Sequence, residues 1–156
     1  MDLKDLYQDI ILEHGKNPRN FGKCKGFNQN AKGHNPLCGD QVQIYLKLNI
    51  KKKVEELTFE GSGCAISMAS TSIMTELVKG KYFASAKKII NEFLCMITSG
   101  TKLQSDNLND DEKIKIMSLS GVKQYPMRVK CATLSWHTLV AALDGKNKEI
   151  NSESID

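Results

Sequence analysis

Leu3, Leu6, Tyr7, Ile10 and Ile11 recur at the three- and four-residue spacing of a helix face, so the chain opens on an amphipathic helix that Gly15 is expected to end. From Lys16 to Gly33 the text is polar and rich in Asn, Gly and Lys. Asn17-Pro18-Arg19-Asn20 marks a turn there, and a short strand near Phe27 to Ala31 is the most the pattern supports. The period then changes. Val42, Ile44, Leu46 and Leu48 alternate with Gln41, Gln43, Tyr45 and Lys47, the pattern of a strand with one buried face. Asn49 to Lys53 reads as a turn, and Val54, Leu57 and Phe59 mark an antiparallel return strand.

The second half is helical. Ile66, Ala69, Ile73 and Leu77 predict a helix from about Ala65 to Lys79, stopped at Gly80. Ala86, Ile89, Ile90, Phe93, Leu94 and Ile97 outline another. Asn109 is placed to cap a short helix through Met117, and a last helix is expected from Pro126 to Leu143. Strands early and helices late predict an α+β domain: a small antiparallel sheet of about three strands packed against several helices. The expected organisation is a single domain over residues 1–145, with 146–156 as a flexible C-terminal tail.

A length of 156 residues with 40% hydrophobic content suits one core. The net charge of +4 is too mild a field to suggest nucleic acid as a partner. No apolar run approaches a membrane span and the amino terminus lacks a signal-peptide pattern, so the expectation is a soluble, cytoplasmic protein. Five widely spaced cysteines, an odd number, fit a reducing compartment better than a disulfide framework. Metal binding, thiol chemistry or burial must account for them.

Three of these cysteines stand at element boundaries. Cys38 lies in Asn35-Pro36-Leu37-Cys38-Gly39-Asp40, where alternation puts Cys38 and Asp40 on one side. Cys64 ends Glu60-Gly61-Ser62-Gly63-Cys64 at a helix start, which favours its thiolate. Cys131 sits beside Arg128 and Lys130, whose charges are expected to lower its pKa. Three thiolates and one carboxylate could share one zinc ion. The spacing matches no compact zinc-finger signature, so turn and cap positions without chemistry stay open as the alternative. Cys95, in an apolar stretch, reads as a buried hydrophobe and Cys24 as an exposed loop thiol. His14, His34 and His137 read as surface or packing residues, with His34 alone near enough to compete with Asp40.

These motifs carry a resemblance. Lys16-Asn17-Pro18-Arg19-Asn20, Asn35 to Asp40, Phe59 to Ser70 and Arg128 to Trp136 together resemble the SufU branch of the IscU/NifU-like iron-sulfur cluster assembly scaffold family, from Leu6 to about Leu143. The resemblance implies that family's α+β fold and a metal site on Cys38, Asp40, Cys64 and Cys131. It also implies zinc in the resting state and sulfur transfer: Cys38 would accept persulfide sulfur from a PLP-dependent, SufS-like cysteine desulfurase, which the chain would activate. The family's alternative is a scaffold on which a 2Fe-2S cluster is assembled and passed to apo iron-sulfur proteins, with other Suf components as further partners. Classical IscU members carry a histidine before the last cysteine and a chaperone-recruiting segment. Here Lys130 replaces that histidine, Tyr125 to Lys130 departs from the segment, and the stretch from Gly80 to Cys131 is longer, as in SufU-type members. Arg128 is the expected docking contact. A third reading, an inert zinc-stabilised interaction domain, predicts that Cys38 is dispensable.

Overall fold

A computed structural model describes residues 2–104, 106–146 and 149–154 of the chain. Helix α1 (Leu3–Lys16) is capped by Asp2, whose carboxylate accepts from the Asp5 N–H at 2.9 Å. It runs through Gly15, where it was expected to end. A Cβ on Gly15 would come within 3.3 Å of the Ala65 carbonyl oxygen, so the missing side chain serves close packing against the next helix and not termination.

Strands β1 (Gln29–Asn35), β2 (Asp40–Leu48) and β3 (Val54–Ser62) pair antiparallel in sequence order. On β2 the expected alternation holds, with Asp40, Val42, Ile44 and Leu46 on the buried face. Strand β1 lies later than the short strand expected near Phe27 to Ala31. Its inward positions are Ala31, Gly33 and Asn35, all buried, which give no apolar period to read.

The helices are α2 (Ala65–Val78), α3 (Phe83–Ser99), α4 (Asp110–Met117) and α5 (Pro126–Leu143), with a 3-10 turn at Ser120–Gln124. Asn109 and Glu112 form a reciprocal capping box at the start of α4. Helix α5 lies across β1 and β2 and packs against α2 and α3. A Cβ on Gly33 would collide with the Thr138 hydroxyl, so only glycine lets α5 sit this low on β1. Trp136, fully buried, stacks on Phe93 at 3.9 Å and donates its indole N–H to Ser70 Oγ at 2.9 Å, fastening three helices at one point.

After α5, Gly145 turns the chain in the left-handed region at φ 70°. Strand β4 (Glu149–Asn151) then joins β1 in parallel, giving the order β3-β2-β1-β4. The sheet therefore has four strands and is mixed, where about three antiparallel strands were expected. The fourth comes from the segment read as a flexible tail: a three-residue strand with one apolar side chain, Ile150, has no periodicity to betray it. Among the described residues no helix is long and apolar enough to cross a membrane.

Candidate metal centre

Three chain segments end at one corner of the sheet. The first is the β1–β2 hairpin, in which Asn35 and Asp40 are cross-strand partners and Pro36 to Gly39 form the loop, Gly39 being left-handed at φ 71°. Cys38 stands half-exposed on this loop, while Asp40 turns inward with the buried face of β2 and is fully buried. The second is the β3–α2 junction. A Cβ on Gly63 would collide with Asp40 Oδ1, and the space left open lets the Cys64 N–H donate to that oxygen at 2.9 Å. The third is the first part of α5, which supplies Cys131, only 1% exposed, from a helix that begins at Pro126.

Sulfur atoms of Cys38 and Cys131 and a carboxylate oxygen of Asp40 all lie within 4.8 Å of one another. Cys64 is a neighbour and not a member of this group. Its sulfur is the cap of α2 and accepts the Ser67 N–H at 3.4 Å. Asn35, read from the sequence only as part of a turn, is a contact the motif analysis missed. Its side-chain amide donates to Asp40 Oδ2 at 3.1 Å and to the Cys131 sulfur at 3.6 Å. Its place opposite Asp40 in a hairpin is the signal that would have found it, had the strand before Pro36 been legible.

Residues 6–132 match the model of the NifU-like N terminal domain. The chain belongs to the NifU-like N-terminal domain family. It is 40% identical over 94% of its length, and 97% of the relative's, to the zinc-dependent sulfurtransferase SufU of Bacillus subtilis. It is 33% identical over 90% of its length, and 84% of the relative's, to the iron-sulfur cluster assembly scaffold protein IscU of Streptococcus pyogenes serotype M1. Among solved structures, that of a scaffold protein of the SUF system from Fervidobacterium islandicum superposes with a TM-score of 0.77 at 35% identity, covering 86% of this chain and 94% of that one. The resemblance drawn from the motifs, and the fold it implied, are thereby established: the chain is one of the iron-sulfur cluster assembly scaffold family.

In this NifU-like domain the electrostatics differ from expectation at Cys131. Burial is the largest influence and pushes the thiol well above its ordinary range; hydrogen bonds with Cys38 and Asp40 and the charges of Cys64 and Asp40 push the same way. The expected lowering by neighbouring cations is outweighed by this burial, and Lys130 turns aside to pair with Glu153 at 2.9 Å. Arg128 does face the sulfurs, from full exposure. A hydrogen bond with the Cys131 sulfur, then the charges of Cys64, Cys131 and Cys38, hold its guanidinium still more firmly protonated.

His34 does not join the group. It follows Gly33 on β1 with its side chain toward the opposite face, where it lines a groove with Gln41, Gln43 and Glu60. Cys24, expected to be exposed, is buried, and Cys95 is half-buried. His14 is buried too, against Ser72 and Glu76.

The donor set of this NifU-like domain suits a divalent ion. Two thiols and a carboxylate crowd one largely buried corner, and burial forces at least one thiol to keep its proton. A dication supplies the missing positive charge, and sulfur with carboxylate oxygen is a set that zinc accepts.

Proposed function

We propose that this chain is a zinc-dependent sulfur acceptor of iron-sulfur cluster assembly, taking persulfide sulfur from a PLP-dependent cysteine desulfurase of the SufS-like kind and activating it. The observation that carries this reading is the convergence of Cys38, Asp40 and Cys131, in which Cys38 alone of the three reaches solvent. The 40% identity to a zinc-dependent sulfurtransferase supports it.

Cys38, Asp40 and Cys131 would hold the metal, with Cys64 as fourth donor at the loss of its cap on Ser67. Such a cap is worth about 1 kcal/mol, little against the roughly 10–16 kcal/mol of a structural zinc site. Zinc bound there keeps the thiols deprotonated at neutral pH.

Transfer is the task of Cys38. Its thiolate attacks the outer sulfur of the donor's persulfide; a bond forms between Cys38 and that sulfur, the donor's sulfur-sulfur bond breaks, and the donor cysteine leaves as a thiolate. Nothing is oxidised or reduced overall. The hairpin loop offers Cys38 to a partner, while Asp40 and Cys131 stay behind it in the protein. Arg128, exposed at the mouth, is the proposed docking contact.

The test is desulfurase turnover with the zinc-loaded chain, the zinc-stripped chain and Cys38→Ala. Expected are one zinc per chain, faster turnover only with the loaded wild type, and one extra sulfur on Cys38 by mass spectrometry. Sulfur on another residue, or none, would overturn the reading.

The 33% identity to an IscU scaffold protein favours a second reading, assembly of a 2Fe-2S cluster on the same thiolates for delivery to apo iron-sulfur proteins or other Suf components. Anaerobic reconstitution separates the two, because a scaffold must pass an intact cluster to an apo-acceptor.

A further inference from the structure

Asn35 and Ser152 form a buried chain of hydrogen bonds that ends on two of the converging donors. Ser152 Oγ, in a residue 2% exposed, donates to Asn35 Oδ1 at 3.0 Å. Asn35, with no exposed surface, spends its two amide hydrogens separately, one on Asp40 Oδ2 and one on the Cys131 sulfur. Chemistry fixes this orientation: turned over, the amide would set its oxygen against a carboxylate and a sulfur. The planar NH2 fork therefore dictates the angle between the two donors it touches.

The contact is not needed to hold β4 in the sheet. Register partners Lys32 and Glu149, Gly33 and Ile150, His34 and Asn151 already do that. Ser152 comes one residue later, where the chain leaves the strand for a short 3-10 turn, Ser152–Ser154, and sends its hydroxyl inward. Lys130, next to Cys131, pairs with Glu153 at 2.9 Å. The turn thus reaches both sides of the corner, the hairpin through Ser152 and α5 through Glu153.

We propose that Asn35 is a positioning residue for the metal centre and that Ser152 is its brace, so that the turn Ser152–Ser154 sets how slowly the centre releases its metal. The proposal deepens the metal-dependent reading above and rests on it. Groups that orient metal ligands from behind typically govern affinity by about 10–100-fold. A buried asparagine carbonyl stripped of its donor hydroxyl would tilt toward other partners and carry Asp40 and Cys131 with it.

The experiment uses the full chain loaded with zinc and follows zinc loss to an excess of a chromophoric chelator. Ser152→Ala is expected to release zinc about tenfold faster, and Ser152→Thr, which keeps the hydroxyl, to release it at nearly the wild-type rate. Asn35→Ser, which loses the fork, is the second variant and should release zinc faster still. In cobalt(II)-loaded protein the sulfur-to-metal charge-transfer band should shift in Ser152→Ala and return in Ser152→Thr, a change that a merely structural role would not produce. Far-UV circular dichroism checks that each variant is folded. Wild-type release rates and an unshifted cobalt band in folded Ser152→Ala and Asn35→Ser would overturn the brace while leaving the zinc reading standing. A wild-type chain that retains no zinc would overturn both.

Discussion

Two buried polar clusters differ in how their charge is balanced. Where α1 meets α2, neutral His14 packs among polar neighbours: Ser72 Oγ lies 2.7 Å from Nδ1 and also accepts the Arg19 N–H at 2.8 Å, while Nε2 faces Glu76 at 3.5 Å. Lys115 answers the same carboxylate at 3.5 Å. Charges there are matched, although among the described residues Glu76 Oε1 keeps ion-pair contacts and no hydrogen bond, and the set joins α1 to α2. At the hairpin corner Cys38, Asp40 and Cys131 are all acids: Asn35 and the Cys64 N–H orient the carboxylate without neutralising it, and an exposed cation, Arg128, faces the sulfurs. The lesson is that a buried cluster whose charges balance within itself is architecture, whereas one with an excess of acid groups is suited to binding a cation.

Substitutions sharpen that contrast. The largest effect is expected at the corner: if a zinc site worth about 10–16 kcal/mol is shared by three or four ligands, each carries about 2.5–5 kcal/mol, so Asp40→Ala or Cys131→Ser should weaken zinc binding by roughly 10²–10⁴-fold in competition with a chelator. Unchanged affinity would erase the distinction. At the other cluster Ser72→Ala leaves His14 Nδ1 and the Arg19 N–H without a partner, and urea unfolding should show a loss of about 1–3 kcal/mol while zinc retention stays at the wild-type level.

The smallest effect is one of pH, measured on the metal-free protein. Burial is the first cause of the lowered pKa of both His14 and His137. Their contribution to stability is present above the ordinary histidine value of about 6.5 and fades as the pH falls through the lower folded values, because the unfolded chain then binds the extra protons. Cys131 acts in the opposite sense, since burial raises its pKa. Its contribution is whole below the ordinary thiol value of about 8.5 and fades as the pH rises. Chemical denaturation from pH 5 to 10 should give a dome, and zinc should reduce its alkaline fall, leaving the part due to the Cys24 thiol, which burial raises as well.

Strand β2 and helices α2 and α3 were legible because each buries apolar residues at its own period, whereas α4 and α5 were read from their ends, at Asn109 and Pro126. Strand β1 was not legible, because its inward positions are Ala31, Gly33 and Asn35 where a strand signal needs bulk, and at Gly33 the closeness of α5 forbids it. The same circumstance hid Asn35, whose role follows from being opposite Asp40. Cys38, Asp40 and Cys131 were readable as boundary residues with ligating atoms. The thiol state of Cys131 was not, since neighbours in sequence such as Lys130 say nothing of burial or of where a flexible cation turns. Gly15 shows the converse failure, a helix terminator by type that serves as a point of contact.

The hydroxyl of Ser152 and the amide it steadies are 117 positions apart. The contact therefore ties the hairpin to a turn that follows every cysteine in the sequence. A chain trimmed after Asn151 would keep all five cysteines and lose this contact, so proteolysis at that end is expected to loosen the corner without unmaking it.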